Sequence, residues 1–393
     1  MASKRPAPFA DLRLTYRPNQ LYQSITANRI PSASVPWSPP LFFPAHSRCA
    51  HTALRRPYKI EIGVSFAGKP ALDAQQLPKK KTIAFSRDHP IAQWRNGLLK
   101  WENKKLRSVS AGEDFFYVTQ GVSLGIADGV GGWSEDGVDP SLFSQALMYY
   151  ASKHASSSWA GEPDFDPIEG TSKPEKSGQS LSPVDIMSLG YEDVLNDPSI
   201  ECGSSTACIV NIDAQSGKLL AANLGDSSFS ILRSSSIFHE QKPQTHYFNC
   251  PGRLFLPWCP KITQGYGRQL AKLLPTQRPH LRITDRPEHA DTFSTQLRHE
   301  DLIILSVHGL GDNVHPGEIL ALASLLRRGT ADQPGVNFAQ VFADKLVEYA
   351  VGCMFAYDKI SPFELAAQDE GFKHVGGKID DVTIVTARIV ENI

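Results

Sequence analysis

The stretch LIILSVHGLGDNV, residues 302–314, leads an apolar run into a glycine-rich turn and places His308 at the bend. A second stretch, VSLGIADGVGGW at residues 122–133, has the same outline with Asp128 in place of the histidine. In both, the polar residue is followed by glycine, an aliphatic residue and glycine. Either two strands bring an imidazole and a carboxylate to one site, or the similarity is chance.

The composition is that of a globular protein. The chain has 393 residues, of which 41% are hydrophobic and 21% charged. A formal net charge of -1 argues against a surface that binds nucleic acid through its phosphates. The six cysteines show no zinc-ligand spacing and are interpreted as reduced packing residues. No window is long and apolar enough to predict a membrane span.

The first sixty residues differ from the rest: they contain scattered Lys and Arg, many Ser and Pro, and Asp11 as their single acid. This composition is typical of an organelle transit peptide, and a disordered basic tail shares it. We expect residues 1–56 to be such a segment, with a mitochondrial, matrix location for the protein. Residues 57–393 are expected to form one domain with loop insertions near 158–184 and 251–275.

Hydrophobic periodicity predicts strands and helices in alternating groups. Residues 57–68 alternate as a strand, AGEDFFYVTQ and GVSLGIADGV predict a hairpin, and a helix follows from residue 140. SPVDIMSLGYEDVL predicts a second helix, and residues 205–233 predict three strands. A strand from residue 301, two amphipathic helices and a last strand, DDVTIVTARIV, complete the chain. Hairpin-length links favour antiparallel sheets faced by helices.

Acidic residues recur beside glycine at the ends of predicted strands. They are Glu113 with Asp114, Asp128, Asp226, Asp312 and Asp380 with Asp381. One Asp-Gly turn is common in any hairpin protein, but the recurrence favours a shared purpose. Hard divalent cations take oxygen ligands, and glycine lets the backbone approach an ion closely. The pattern therefore indicates a shared metal site.

The order of several motifs resembles one known family. GEDFFYV, GIADGVGGW, CGSSTACIV, AANLGDSSFSIL, THYFNCP, GLGDNV and GGKIDDVTIV occur in the order of the metal-dependent protein phosphatases of the 2C type, the PPM family. They look most like its mitochondrial homologue 7 branch. The resemblance implies an α+β fold, a four-layer αββα sandwich of two antiparallel sheets. It also implies two Mg²⁺ or Mn²⁺ ions and hydrolysis of phosphoserine and phosphothreonine in proteins by a water that bridges the metals.

The resemblance also implies individual roles. Asp128 matches the carboxylate that bridges the two metals, and Gly129 matches a residue that offers its backbone carbonyl to one of them. Glu113 matches an acid that holds a metal-bound water, with Asp114 beside it as support. Asp380 matches the last carboxylate on the first metal.

Three further positions complete the expected metal set. Asp226 and Asp312 match acids associated with a third, weaker ion in some members of the family. His308 stands where the family has a metal-binding aspartate. Replacing carboxylate with imidazole favours borderline metals over hard Mg²⁺, and even changes around a ligand cost about 10- to 100-fold in metal affinity or activity. His308 is therefore either a working ligand or a packed histidine beside a weakened site.

Other polar residues are interpreted more simply. Ser204, Ser205 and Thr206 are expected to be structural, and His246 to be a core or hydrogen-bonding histidine. Arg107 lies near the position of the phosphate-binding arginine of the wider family, and the phosphate contact is left open.

The main prediction is a mitochondrial protein serine/threonine phosphatase with a phosphoprotein substrate. Its first rival is a pseudophosphatase, a binding module silenced by His308. A metal-dependent hydrolase of small phosphate esters is a third reading, because specificity resides in loops rather than in the fold. A scaffold without metal would leave the recurring acids without a common purpose. The oligomeric state is not predicted.

Overall fold

The structure is a computed structural model. It describes residues 58–70, 85–100, 110–120, 122–157, 181–245, 270–272, 285–330, 333 and 335–392. The predicted transit segment 1–56, most of the two predicted insertions, Arg107 and His246 lie outside the described residues. The domain boundaries therefore stay predictions.

The described strands form two five-stranded antiparallel sheets and a short two-stranded one. They are β1 Tyr58–Ala67, β2 Asp114–Val118, β3 Ser123–Asp128, β4 Gly203–Ser205, β5 Ala207–Ile212, β6 Lys218–Leu224, β7 Ser228–Arg233, β8 Ser236–Glu240, β9 Leu270–Lys272, β10 Asp291–Gln296, β11 Leu302–Ser306 and β12 Val382–Glu391. One large sheet has the order β1-β12-β11-β7-β8 and the other β10-β6-β5-β3-β2, while β4 pairs with β9.

Seven α-helices are described. They are α1 Pro90–Leu98, α2 Ser141–Ser157, α3 Pro183–Asn196, α4 His308–Asn313, α5 Pro316–Thr330, α6 Phe338–Met354 and α7 Pro362–Asp369. Local signals explain their starts: Ser182 caps α3 and forms a capping box with Asp185, and the Asn337 side chain caps α6. No helix among the described residues is long and apolar enough to cross a membrane.

The alternation of side chains divides the core into three layers. Phe116, Ile303 and Val385 pack between the two large sheets. Phe115, which precedes Phe116 in β2, points to the opposite face of its sheet and packs with residues of α2 and α3. Ile304 likewise lies outside the central layer, against α5 and α6. Both sheets are thus buried on two faces, and the predicted αββα sandwich is confirmed.

The predicted elements recur with a few differences. The helices α1 and α7 were not predicted. The glycine turn expected after Val307 is a short helix, since α4 begins at His308 itself. Within the predicted loop 251–275, residues 270–272 form a strand that pairs with β4. This pairing depends on a remote partner, so local pattern could not show it.

Candidate metal centre

The acidic strand ends predicted from the sequence meet at one end of the two sheets. In the β2–β3 hairpin, Asp114 lies directly opposite Asp128. In the other sheet β11 pairs with β12, which brings His308 beside Asp380. Asp226 lies in the turn between β6 and β7 and reaches His308 from a third side. Antiparallel neighbours put the end of one strand beside the start of the next, which explains the convergence.

His308 lies among carboxylates. Its Nε2 is 3.2 Å from Asp312 Oδ1 and 4.0 Å from Asp226 Oδ2, and its Nδ1 is 3.7 Å from Asp380 Oδ2. One helical turn separates His308 from Asp312, so both side chains lie on the same face of α4. Burial and the nearby Lys378 ammonium favour the neutral imidazole, but Asp312, Asp226 and Asp380 outweigh them and raise the pKa of His308 to about 9. The imidazole is therefore protonated at neutral pH while no metal is bound.

Lys378 places a second cation in this group. Its Nζ is 2.7 Å from Asp312 Oδ2, 3.2 Å from Asp380 Oδ2 and 3.2 Å from His308 Nδ1. Burial opposes ionisation of Asp380, but Lys378 and His308 outweigh it and hold the pKa of that carboxyl well below its usual range. Asp380 is therefore ionised at any ordinary pH.

Glu113 is held at the rim of the site by a neighbouring network. Its backbone N–H donates to Asp381 Oδ2 at 2.9 Å, and its Oε2 lies 2.7 Å from Lys69 Nζ. The other oxygen of Asp381 accepts the backbone N–H of Lys69 at 2.6 Å. Burial raises the pKa of Glu113 to about 7, although Lys69 opposes the shift. A carboxyl group with this pKa can exchange a proton near neutral pH.

Asp114 and Asp128 are neighbouring buried acids, and the charged groups around them are mainly other acids. Asp114 is fully buried, and neither of its carboxylate oxygens has a hydrogen-bond partner among the described residues. The Thr383 hydroxyl is its polar neighbour, but the two groups do not reach hydrogen-bond geometry. Burial and Asp128 raise the pKa of Asp114, while burial, Asp380 and Asp226 raise that of Asp128. Buried carboxylates that repel one another form a site that favours a cation.

This donor set fits divalent cations. Ligand atoms of His308, Asp312 and Asp380 all lie within 4.8 Å of one another. Carboxylate oxygens suit Mg²⁺ and Mn²⁺, and the imidazole nitrogen shifts the preference toward borderline metals such as Mn²⁺. A bound cation would also offset the repulsion felt by Asp114 and Asp128.

Gly129 and the hydroxyl residues near it shape the backbone around Asp128. The Gly129 N–H donates to Glu113 O at 3.1 Å, which ties two strand ends together. Thr206 Oγ1 accepts the Asp128 N–H at 3.0 Å, and Ser205 Oγ donates to the Asp128 carbonyl at 2.8 Å. These bonds agree with the structural role expected of the hydroxyls. The individual metal-binding roles of the acids, Gly129 and His308 stay predictions.

Lys69 and Lys378 were not among the predicted site residues. Lys378 lies inside the quoted motif GGKIDDVTIV, and Lys69 follows Gly68 at the end of β1. Both stand beside glycine near a strand end, as the acids do. The same criterion applied to basic residues would have selected them.

Gly309 is required where α4 approaches the start of β12. A Cβ atom there would lie 2.1 Å from the Asp381 backbone carbonyl and 3.3 Å from the Asp380 Cβ. We expect Gly309→Ala to push α4 away from Asp380 and to lower the free energy of unfolding by about 1 to 3 kcal/mol. Denaturant unfolding measures the change. Gly311→Ala, in the same helix but with no atom within 4 Å, is the control and should be neutral or stabilising.

The charge of His308 should make metal-free stability depend on pH. Its pKa in the fold, about 9, lies above the ordinary 6.5, so its contribution is complete below pH 6.5 and lost as the pH rises through 9. In EDTA, the destabilisation caused by His308→Gln should therefore shrink by roughly 2 kcal/mol between pH 6.5 and 9. Urea unfolding at each pH measures it. His154→Gln, which removes a histidine paired with Asp193 at the surface, is the control. If His308→Gln lowers the free energy of unfolding by the same amount at pH 6.5 and at pH 9, the prediction is wrong.

Comparison with solved structures shows a likeness in fold. The X-ray structure of the photosystem II phosphatase PBCP superposes with a TM-score of 0.55 at 21% sequence identity, covering 84% of this chain and 98% of that one. At this level of identity the likeness is one of fold. No protein-family model matches the chain.

Curated relatives show the family. The protein phosphatase PTC7 homolog of Danio rerio is 31% identical over 301 residues, covering 76% of this chain and 86% of the relative. The protein phosphatase PTC7 homolog of Homo sapiens is 31% identical over 301 residues, covering 84% of its own length. The chain belongs to the PTC7 branch of the 2C-type protein phosphatases.

Proposed function

We propose that this chain hydrolyses phosphoserine and phosphothreonine esters of mitochondrial proteins and depends on divalent cations for the reaction. One observation carries the proposal: acids that lie far apart in the sequence converge around His308. Asp226, Asp312 and Asp380 each approach its imidazole within 4.0 Å. Such a concentration of carboxylates at one end of a two-sheet fold favours the binding of divalent cations.

Each group of residues has a proposed task. Asp128, Asp380, Asp312 and His308 would hold the cations. Divalent cations at such a site polarise phosphoryl oxygens and lower the pKa of water. The chain itself has no need of a covalent nucleophile, and its task is to position charge around the phosphoryl group.

Glu113 and Lys69 form the rim at which the phosphate ester would arrive. The Glu113 carboxyl, with a pKa of about 7, can hold or release a proton near neutral pH. The Lys69 side chain is 36% exposed, so its ammonium can leave Glu113 and face a phosphoryl oxygen. If Lys69 has this role, Lys69→Met should raise KM for a phosphopeptide; an unchanged KM would refute it.

A pseudophosphatase is the second candidate function, and one observation favours it. At neutral pH His308 is protonated and paired with Asp312 at 3.2 Å, so metal binding must first remove a proton. A site weakened in this way could still bind a phosphorylated partner without turning it over.

The mitochondrial location rests on the composition of residues 1–56, which are rich in Arg and Ser and contain Asp11 as their single acid. The proposal predicts that the protein recovered from mitochondria has lost this segment. Mass spectrometry of its N-terminus is the test, and an intact N-terminus on mitochondrial protein would contradict it.

Hydrolysis of three substrates tests the proposed activity. Phosphothreonine peptide, phosphotyrosine peptide and p-nitrophenyl phosphate would be offered to the full chain with Mn²⁺, with Mg²⁺ and with EDTA. We expect turnover of the phosphothreonine peptide with either metal and none in EDTA. Faster turnover of the small ester than of any peptide would favour a small-molecule hydrolase. Phosphopeptide binding without turnover under every condition would favour the pseudophosphatase.

A further inference from the structure

We propose that Lys378 is a built-in counter-cation of the acidic cluster, which occupies the place of a metal ion and weakens divalent-cation binding at His308, Asp312 and Asp380. This inference rests on the proposed function, because it concerns the same metal site. In this inference the Lys378 ammonium is a cation already present in the site, and a metal ion has to displace it in order to bind.

The position of the ammonium group is the first argument. Lys378 Nζ approaches each of the three residues whose ligand atoms could hold an ion: 2.7 Å from Asp312 Oδ2, 3.2 Å from Asp380 Oδ2 and 3.2 Å from His308 Nδ1. A lysine ammonium is a compact positive charge with three donors. An ion that uses the same two carboxylate oxygens would meet this charge at close range, so the two cations compete.

The lysine is also held in place by its backbone, which is the second argument. Its N–H donates to Asn313 Oδ1 at 2.9 Å, and Asn313 Nδ2 donates to its carbonyl at 2.8 Å. The same amide nitrogen donates to Gly309 O at 2.9 Å, so Asn313 joins Lys378 to α4. The ammonium also lies 5.0 Å from the centre of the Phe363 ring. Groups fixed in this way around a metal site tune its affinity.

Lys69 offers a contrast within the same site. Its Nζ lies 3.9 Å from Asp380 Oδ1, on the other oxygen of that carboxylate, and its side chain is 36% exposed. The Lys378 side chain is 21% exposed and touches two acids at once. Lys69 also pairs with Glu113 at 2.7 Å and with Asp381 at 3.5 Å. The two lysines therefore differ in their exposure and in the Asp380 oxygen that each approaches, and only Lys378 contacts Asp312.

The proposal is tested by measuring Mn²⁺ binding to the full chain. Calorimetry gives the affinity, and the loss of the electron paramagnetic resonance signal of free Mn²⁺ gives it independently. We expect Lys378→Met to bind Mn²⁺ at least about tenfold more tightly than the wild type, because a competing charge is gone. Lys378→Arg keeps the charge and should bind like the wild type. Lys345→Met is the control, since Lys345 pairs with Glu348 at 2.6 Å on the exposed surface of α6; its Mn²⁺ affinity should not change.

Thermal unfolding gives a second readout that needs no substrate. Without metal, Lys378→Met should melt at a lower temperature than the wild type, because Asp312 and Asp380 lose their counter-charge. Saturating Mn²⁺ should remove most of that difference. If the variant folds only with Mn²⁺ present, the ion has replaced the lysine, which supports the proposal. If it does not fold with Mn²⁺ either, Lys378 is a structural residue and the proposal is overturned.

The remaining outcomes separate this inference from the proposed function. Equal or weaker Mn²⁺ binding by Lys378→Met, with clear binding by the wild type, overturns the inference and leaves the phosphatase proposal standing. If neither protein binds Mn²⁺, both fall.

Discussion

Asp128→Asn is expected to reduce metal-dependent hydrolysis of a phosphothreonine peptide at least about 100-fold. The carboxylate of Asp128 faces Asp380, Asp226 and His308 at the centre of the cluster. If Asp128 is the bridging ligand that the resemblance implies, the substitution removes a ligand charge from the proposed metal site. Steady-state kinetics with Mn²⁺ measures the effect.

The same substitution should stabilise the metal-free protein. Burial and neighbouring acids raise the pKa of Asp128 above its unfolded value, so ionisation near neutral pH opposes folding. Asparagine has no charge to lose, and the backbone bonds from Ser205 and Thr206 remain. We expect a gain of about 1 kcal/mol, or a few degrees in the melting temperature in EDTA.

Asp193→Asn is the control for Asp128→Asn. Asp193 pairs with His154 on the surface helices, away from the cluster. It should change neither hydrolysis nor metal-free stability by a comparable amount. Activity within tenfold of the wild type for Asp128→Asn would show that the cluster is not the catalytic centre.

His308→Asp is expected to increase Mg²⁺ affinity by at least about tenfold and to increase Mg²⁺-dependent turnover with it. A carboxylate is the ligand that hard cations prefer. The imidazole, with a pKa of about 9, has to release a proton before it can bind a metal, and aspartate at neutral pH does not. Calorimetric titration with Mg²⁺ and phosphopeptide kinetics measure the two effects.

Although its Mg²⁺ affinity rises, the His308→Asp variant should be less stable than the wild type when no metal is bound. The new carboxylate would join Asp226, Asp312 and Asp380, so His308→Asp should melt at a lower temperature in EDTA and recover with Mg²⁺. His315→Asp is the control, since the His315 ring bonds to the Ile360 carbonyl and not to the cluster.

The activity of the wild type decides how the kinetics of His308→Asp are interpreted. Turnover in the variant alone would identify this chain as a phosphatase fold silenced at one position. A wild type more active than the variant would identify the imidazole as the native ligand, and an unchanged Mg²⁺ affinity would show that position 308 does not reach a metal ion.

Local pattern was sufficient for most of the elements. The apolar run Leu302–Ser306 is buried on both faces, because Ile303 faces the other sheet and Ile304 faces the helices. A continuous apolar segment is therefore what this strand requires. The helix start at Pro183 follows from Ser182 and Asp185, which cap it locally. Such signals act over a few residues, so the sequence shows them directly.

Long-range contacts explain two of the features that were missed. The β4–β9 pair joins segments remote in the chain, and the start of α4 at His308 depends on its packing against Asp381 through Gly309. Neither feature has a local signal that outweighs the alternatives of loop and turn.

The sequence by itself determined which chemistry is available: acids and one histidine at strand ends, beside glycines that allow close approach. Only the tertiary structure decided the charge balance of the site. It places Lys378 against Asp312 and Asp380 and Lys69 against Glu113, and it leaves Asp114 buried with no hydrogen-bond partner in the part of the chain that the structure describes. Electrostatic energy depends on distances between groups that are remote in the chain, and those distances are set by how the two sheets and α4 pack together.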